Sequence, residues 1–206
     1  MMTTAASTAT DRSDFRTVMI AGTKTGALIA LAVVVFLAAT RVLGPGGGAA
    51  RALVQALVVL AAATAAAFLP AHWAVPRTTE GVAGSAAIGL WGTIVFSVID
   101  IALFRPLRAY PWTWDAVGGG GTWWYLPIWW MLGTYLAWLG GMLWATRQAR
   151  GEMSVGRAAV PVVAGAIVLA AVAMLARLGV LLPVAAGGGF AITLTGLAVA
   201  GIARNG

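Results

Sequence analysis

The sequence predicts an all-α polytopic membrane bundle of about six transmembrane helices, and three observations predict it. Of 206 residues, 61% are apolar and 9% charged, whereas an ordinary soluble domain carries about 25% charge. The apolar residues fall into six runs, at 25–43, 52–69, 82–104, 123–146, 158–176 and 180–203. Runs of about 20 residues, rising about 1.5 Å each, match a hydrocarbon core of about 30 Å. Glycine, proline or a basic residue stands at every boundary between runs. Soluble enzymes, disordered tails, collagen-like fibres and nucleic-acid-binding domains all need more polar surface than 6 acids and 13 bases provide.

Residues 1–24 are rich in Ser, Thr and Ala with mixed charge. They are expected as a polar mobile tail, with at most a short interfacial helix from Phe15. The first run is read as an uncleaved anchor, because Asp11 and Asp14 precede it and its apolar character continues past Arg41 into Val42 and Leu43. Gly44-Pro45-Gly46-Gly47-Gly48 predicts a tight hairpin into the second run. Pro70 and Pro76 then bracket an expected interfacial stretch with His72 and Trp73. Pro127, Pro161 and Pro183 each fall near the start of a run, where a missing backbone N–H costs little. Only Arg177, Gly179 and Pro183 separate the last two runs, so five helices is the alternative count. Residues 25–203 form a single transmembrane domain on this reading, with a Trp/Gly-rich interfacial loop at 105–122.

Twelve arginines and one lysine are scattered rather than clustered, which argues for a topological role and against a nucleic-acid stripe. With six spans, Arg12, Arg16, Lys24, Arg77, Arg147, Arg150, Arg157 and Arg204 fall on one side, and Arg41, Arg51, Arg105, Arg108 and Arg177 on the other. Eight against five places both termini in the cytoplasm, and a bacterial inner membrane is the expected location. Cysteine is absent and His72 is the single histidine. Disulfides, thiolate chemistry and multi-histidine metal ligation by this chain alone are thereby excluded, and no metal site is predicted.

Small residues recur every fourth position: Gly22, Gly26 and Ala30 in the first span; Gly81, Ser85, Gly89, Thr93 and Ser97 in the third; Gly133, Ala137, Gly141 and Ala145 in the fourth. Such stripes let helix backbones approach closely in lipid. A cavity lined by hydroxyls is the functional alternative to packing.

Asp100 is the one acid inside an apolar run, and a carboxylate there is costly unless it pairs, protonates or faces water. With Ser97 and Thr93 beside it and Arg105 and Arg108 within two turns, it is the first candidate for an ion, proton or ligand site. Ion pairing is the structural alternative.

Eight of the ten tryptophans and all three tyrosines lie between residues 110 and 144. Tyr110, Trp112, Trp114, Asp115, Trp123 and Trp124 form the second candidate, an interfacial site for lipid or another amphipathic ligand. A bound lipid, quinone or isoprenoid is the ligand class that rings beside Arg105, Arg108 and Asp115 suit. Headgroup anchoring explains the same rings without a ligand. No cofactor motif is present, Gly187-Gly188-Gly189 lacks the Lys-Ser/Thr of a phosphate loop, and no catalytic residue is assigned. The expected function is therefore an accessory or assembly component contacting membrane lipids, other membrane subunits or its own copies, and no nucleic acid. A small transporter or carrier using Asp100 is the alternative.

Overall fold

The computed structural model describes residues 12–109, 125–149, 151 and 154–204. Among the described residues the architecture is six long helices: α1 (Phe15–Leu43), α2 (Gly48–Ala74), α3 (Thr79–Ile99), α4 (Tyr125–Gln148), α5 (Val155–Leu175) and α6 (Leu182–Ala203). All six spans, α3 being continued by a wider turn to Phe104, are long and apolar enough to cross a membrane. The protein is an integral membrane helical bundle.

Helix α2 sits at the centre, and α1, α3, α4, α6 and α5 pass around it in that order, each packed on its neighbour and on α2. No extensive helix contact closes the arc between α1 and α5 among the described residues. The main core gathers Phe68 of α2, Leu136, Leu139 and Trp144 of α4, Val162 of α5, and Phe190 and Leu194 of α6. Large apolar side chains such as Leu31, Leu57, Met131 and Ile192 point outward, as expected where the surrounding solvent is hydrocarbon.

The last two runs are separate helices, because Arg177 and Gly179 take positive φ values of 51° and 71° and break the chain between them. The first helix begins at Phe15, so residues 15–24 are its opening turns rather than polar tail. Asp14 caps it, accepting from Thr17 N at 3.1 Å and Thr17 Oγ1 at 2.6 Å. Ala21 packs with Ile88 and Ala74, so tertiary contact carries the helix beyond the apolar run. Residues 1–11 lie outside the described residues.

Helix α2 likewise runs through Pro70 to Ala74 and takes His72 and Trp73 into its last turn. Its stop is Val75 at φ 49°, whose N–H donates to Ala71 O at 2.9 Å. Left-handed backbone is strained for a β-branched residue, and the following loop is held from outside. Gln148 of α4, with its amide turned to satisfy both partners, donates to Pro76 O at 3.2 Å and accepts from Arg77 Nε at 2.8 Å.

Helix α5 starts at Val155, ahead of its apolar run, because Ser154 caps it by accepting from Arg157 N at 3.1 Å. Pro161 therefore falls inside the helix rather than at its start. A proline leaves the carbonyl four residues earlier without its helical donor; here that carbonyl is Arg157 O, and it accepts from Arg147 Nη1 at 3.0 Å. The predicted hairpin is a short 3-10 turn, Pro45–Gly47. Arg51 Nη1 donates to Gly44 O at 3.0 Å, and Gln55 Nε2 to Thr40 Oγ1 at 2.8 Å, pinning α1 to α2 there.

Candidate functional site

The stripes of α3 and α4 meet each other. A Cβ on Gly89 would strike Ala137, one on Gly133 would strike Thr93, and one on Gly141 would lie 3.0 Å from Ser85. A neighbouring face of α3 receives α1, where a Cβ on Gly22 would come 2.9 Å from Ile88 O and one on Gly26 2.5 Å from Gly92 O. Small side chains thus bring three backbones into contact, which is how helices associate in lipid.

The hydroxyls on α3 are turned into their own helix. Ser85 donates to Gly81 O at 3.1 Å, Thr93 to Leu90 O at 2.8 Å and Ser97 to Thr93 O at 2.7 Å. Each donor is satisfied locally; Thr93 presents its methyl to Gly133, and Ser85 presents its Cβ and its already bonded Oγ to Gly141.

Asp100 is fully buried at the C-terminal end of α3. The helix widens there into a π-turn, Asp100–Phe104, with Arg105 N donating to Asp100 O at 2.9 Å. Side chains three and four apart face one another on an α-helix, which leaves a residue five further on pointing elsewhere. The wider turn bonds i to i+5 and brings Arg105 round, Nε to Asp100 Oδ2 at 4.0 Å. The insertion that breaks the helical register also makes the ion pair. Arg108 does not share it: this residue is exposed, at φ 47°, with its N–H on Arg105 O at 2.9 Å.

Comparisons with protein-family models, with curated proteins and with solved structures find no match. The site is therefore read from its chemistry.

Around the π-turn, Phe104 packs with Ala30 and Phe96, and Phe96 meets the edge of Trp129 at 6.0 Å between ring centroids. The first candidate set is thus divided: Asp100 with Arg105, Thr93 in the α3–α4 contact, and Ser97 buried and bonded to Thr93 O within α3. Of the second set, Tyr110, Trp112, Trp114, Asp115, Trp123 and Trp124 lie outside the described residues. The aromatic residues that are described do not form one belt. Trp144 is in the core with its ring edge-on to His72 at 6.1 Å, while Tyr135 faces outward and its hydroxyl is 2.7 Å from Thr195 Oγ1 of α6.

No group of three His, Cys, Asp or Glu side chains that could hold a metal occurs among the described residues. Sequence reasoning missed two of the glycines at the other interfaces, Gly140 and Gly165, while the triplet Gly187-Gly188-Gly189 reads in the sequence as a packing notch or local unwinding. Gly140 lies against Ala67 O of α2, Gly165 against Thr193, and Gly189 against Ala166 O.

Proposed function

We propose that the protein is an accessory or assembly component of a bacterial inner membrane, with both termini cytoplasmic, that binds partner helices and lipid on its outer faces. One observation carries this reading: in the row with the most hydroxyls Ser85 and Thr93 meet α4, and all three hydroxyls bond carbonyls of their own helix, which supports a packing role for these groups. The open side of the arc adds support. There α2 and α5 flank an apolar groove of about 440 Å³ that includes Leu60, Ala61, Ala65 and Val163, and small residues in such a groove admit a further helix.

Gentle extraction from the native membrane followed by native mass spectrometry tests the proposal. A defined hetero-complex is expected. Recovery of the bare monomer, with proteoliposome flux carried by that monomer, contradicts it.

A second reading, a small carrier with Asp100 as its coupling group, draws on the π-turn, since such turns are frequent at functional sites. The two readings part on Asp100→Asn. An accessory role predicts lower thermal stability and no change in flux, because removing one member of a buried pair costs about 3–5 kcal/mol. A carrier predicts lost flux at unchanged expression.

A further inference from the structure

At the end of the bundle where α1 starts, the chain before α1, the first turns of α1 and the last turn of α2 enclose an open cleft of about 380 Å³. Its walls include Arg12, Arg16 and Lys24, with Asp14, Ile20 and Trp73. No ion pair joins these three cations to a carboxylate among the described residues. Asp14 is occupied with its own helix, both oxygens accepting from Thr17. Three cations against one carboxylate repel one another, and an anion seated between them removes that repulsion. Guanidinium groups suit phosphate oxygens in particular. The cleft is held in shape: Arg12 N donates to Ala74 O at 2.9 Å, and Ser13 packs on Gly84, where a Cβ would lie 2.6 Å from Ser13 Cβ.

A second, independent feature says where the anion comes from. Lys24 stands in the row Ile20, Lys24, Leu28, Leu31 and Val35, at helical spacing along the outer face of α1. Its four apolar members are 41 to 57% exposed, and Lys24 is exposed with them. An acyl chain lying along Leu28, Leu31 and Val35 would bring its headgroup to Lys24, whose long stem reaches toward the polar zone. Trp73 beside it is a residue favoured at headgroup level. A soluble anion has no use for the apolar part of this row.

The geometry points to a binding site for the phosphate of an anionic phospholipid, held by Arg12, Arg16 and Lys24 with its acyl chain on the outer face of α1. This sharpens the lipid-binding half of the reading above and stands whether or not the chain works in a complex, since subunit composition is read from a separate mass.

The test uses the purified full chain in detergent, offered equal amounts of phosphatidylglycerol and phosphatidylcholine, with retained lipid counted by native mass spectrometry. Preferential retention of phosphatidylglycerol is expected, and equal retention overturns the site without any variant. Arg16→Gln combined with Lys24→Gln should weaken that retention about thirtyfold, from two cations near a charged headgroup. Arg16→Lys with Lys24→Arg should preserve it. Arg157→Gln with Arg204→Gln, on the same end of the bundle but outside the cleft, should leave it within about twofold; an equal loss there would reduce the effect to general surface charge and overturn the site. Glycerol phosphate added in excess should not displace the lipid, and displacement would make this a soluble-anion site instead. Circular dichroism of each variant should match the parent.

Discussion

Where α1, α3 and α4 meet, backbone lies on backbone: Gly26 faces Gly92 O, and Gly89 faces Gly133 O and Ala137. Around α2, α5 and α6 the same bundle is filled by rings and branched side chains, with Phe68, Phe190, Leu194 and Val162 fully buried. In lipid, helices gain nothing by hiding apolar surface from one another and associate through close contact. One side of the molecule obtains that contact by removing side chains, whereas the other combines interlocked rings and branched chains with close glycine contacts of its own, Gly140 on Ala67 O, Gly165 on Thr193 and Gly189 on Ala166 O. The first side should therefore fail when atoms are added, and the second both when atoms are added at those glycines and when its large buried side chains are cut back.

The largest expected effect is on the interlocked side. Phe190→Ala should cost about 3–5 kcal/mol through the cavity it leaves, read as a fall in the thermal midpoint in detergent, whereas the same measurement on Phe36→Ala, outside that core, should show much less. Next comes overpacking. Gly89→Ala should cost about 1–3 kcal/mol, and Ala137→Gly in the same chain should return part of it, because the added methyl then meets a vacated position; no recovery would mean that Gly133 O, 2.6 Å from the added Cβ, decides the cost. Smaller still, Ser85→Ala should change stability by about 1 kcal/mol or less, since it removes one local hydrogen bond, and a larger loss would give that hydroxyl a role beyond its own helix.

The smallest effect is at the start of α1. Hydrogen bonds from the Thr17 side chain and backbone hold the Asp14 carboxyl below its ordinary value of 3.8. A carboxyl lowered on folding stabilises the folded state above its unfolded pKa and loses that contribution as pH falls through the lower, folded value. Amide exchange at Thr17 should accordingly quicken below about pH 4 in the parent and be insensitive to pH in Asp14→Asn once intrinsic exchange is allowed for.

Much of this architecture was legible because hydropathy and small-residue spacing are properties of the chain itself. Six runs predicted six helices, and the stripes of the third and fourth predicted faces that do pack together. A short helix from Phe15 was legible, but its continuation through Lys24 into the first span was not, because a cap at Asp14 and contact with Ile88 and Trp91, residues far along the chain, sustain it. The helical path through Pro70 and Pro161 was hidden for a related reason: the backbone group that Pro161 strands is satisfied by Arg147, from another helix. At Asp100 the residue stood out as a buried acid, and Arg105 as its partner, but the π-turn that joins them leaves no mark in spacing. The basic cleft was overlooked because Arg12, Arg16 and Lys24 read singly as topological charges; only folding brings them beside Trp73.

The central claim is that the α3–α4 contact is packing and holds no water. The chain contains no cysteine, so single substitutions at Ser85, Thr93 and Ser97 can each be probed with a water-soluble maleimide in native membranes. The account predicts that Ser85→Cys, Thr93→Cys and Ser97→Cys stay unlabelled until the protein is denatured, while Arg16→Cys labels at once. Rapid labelling along the α3 row in the folded protein would show a water-filled route and contradict the account.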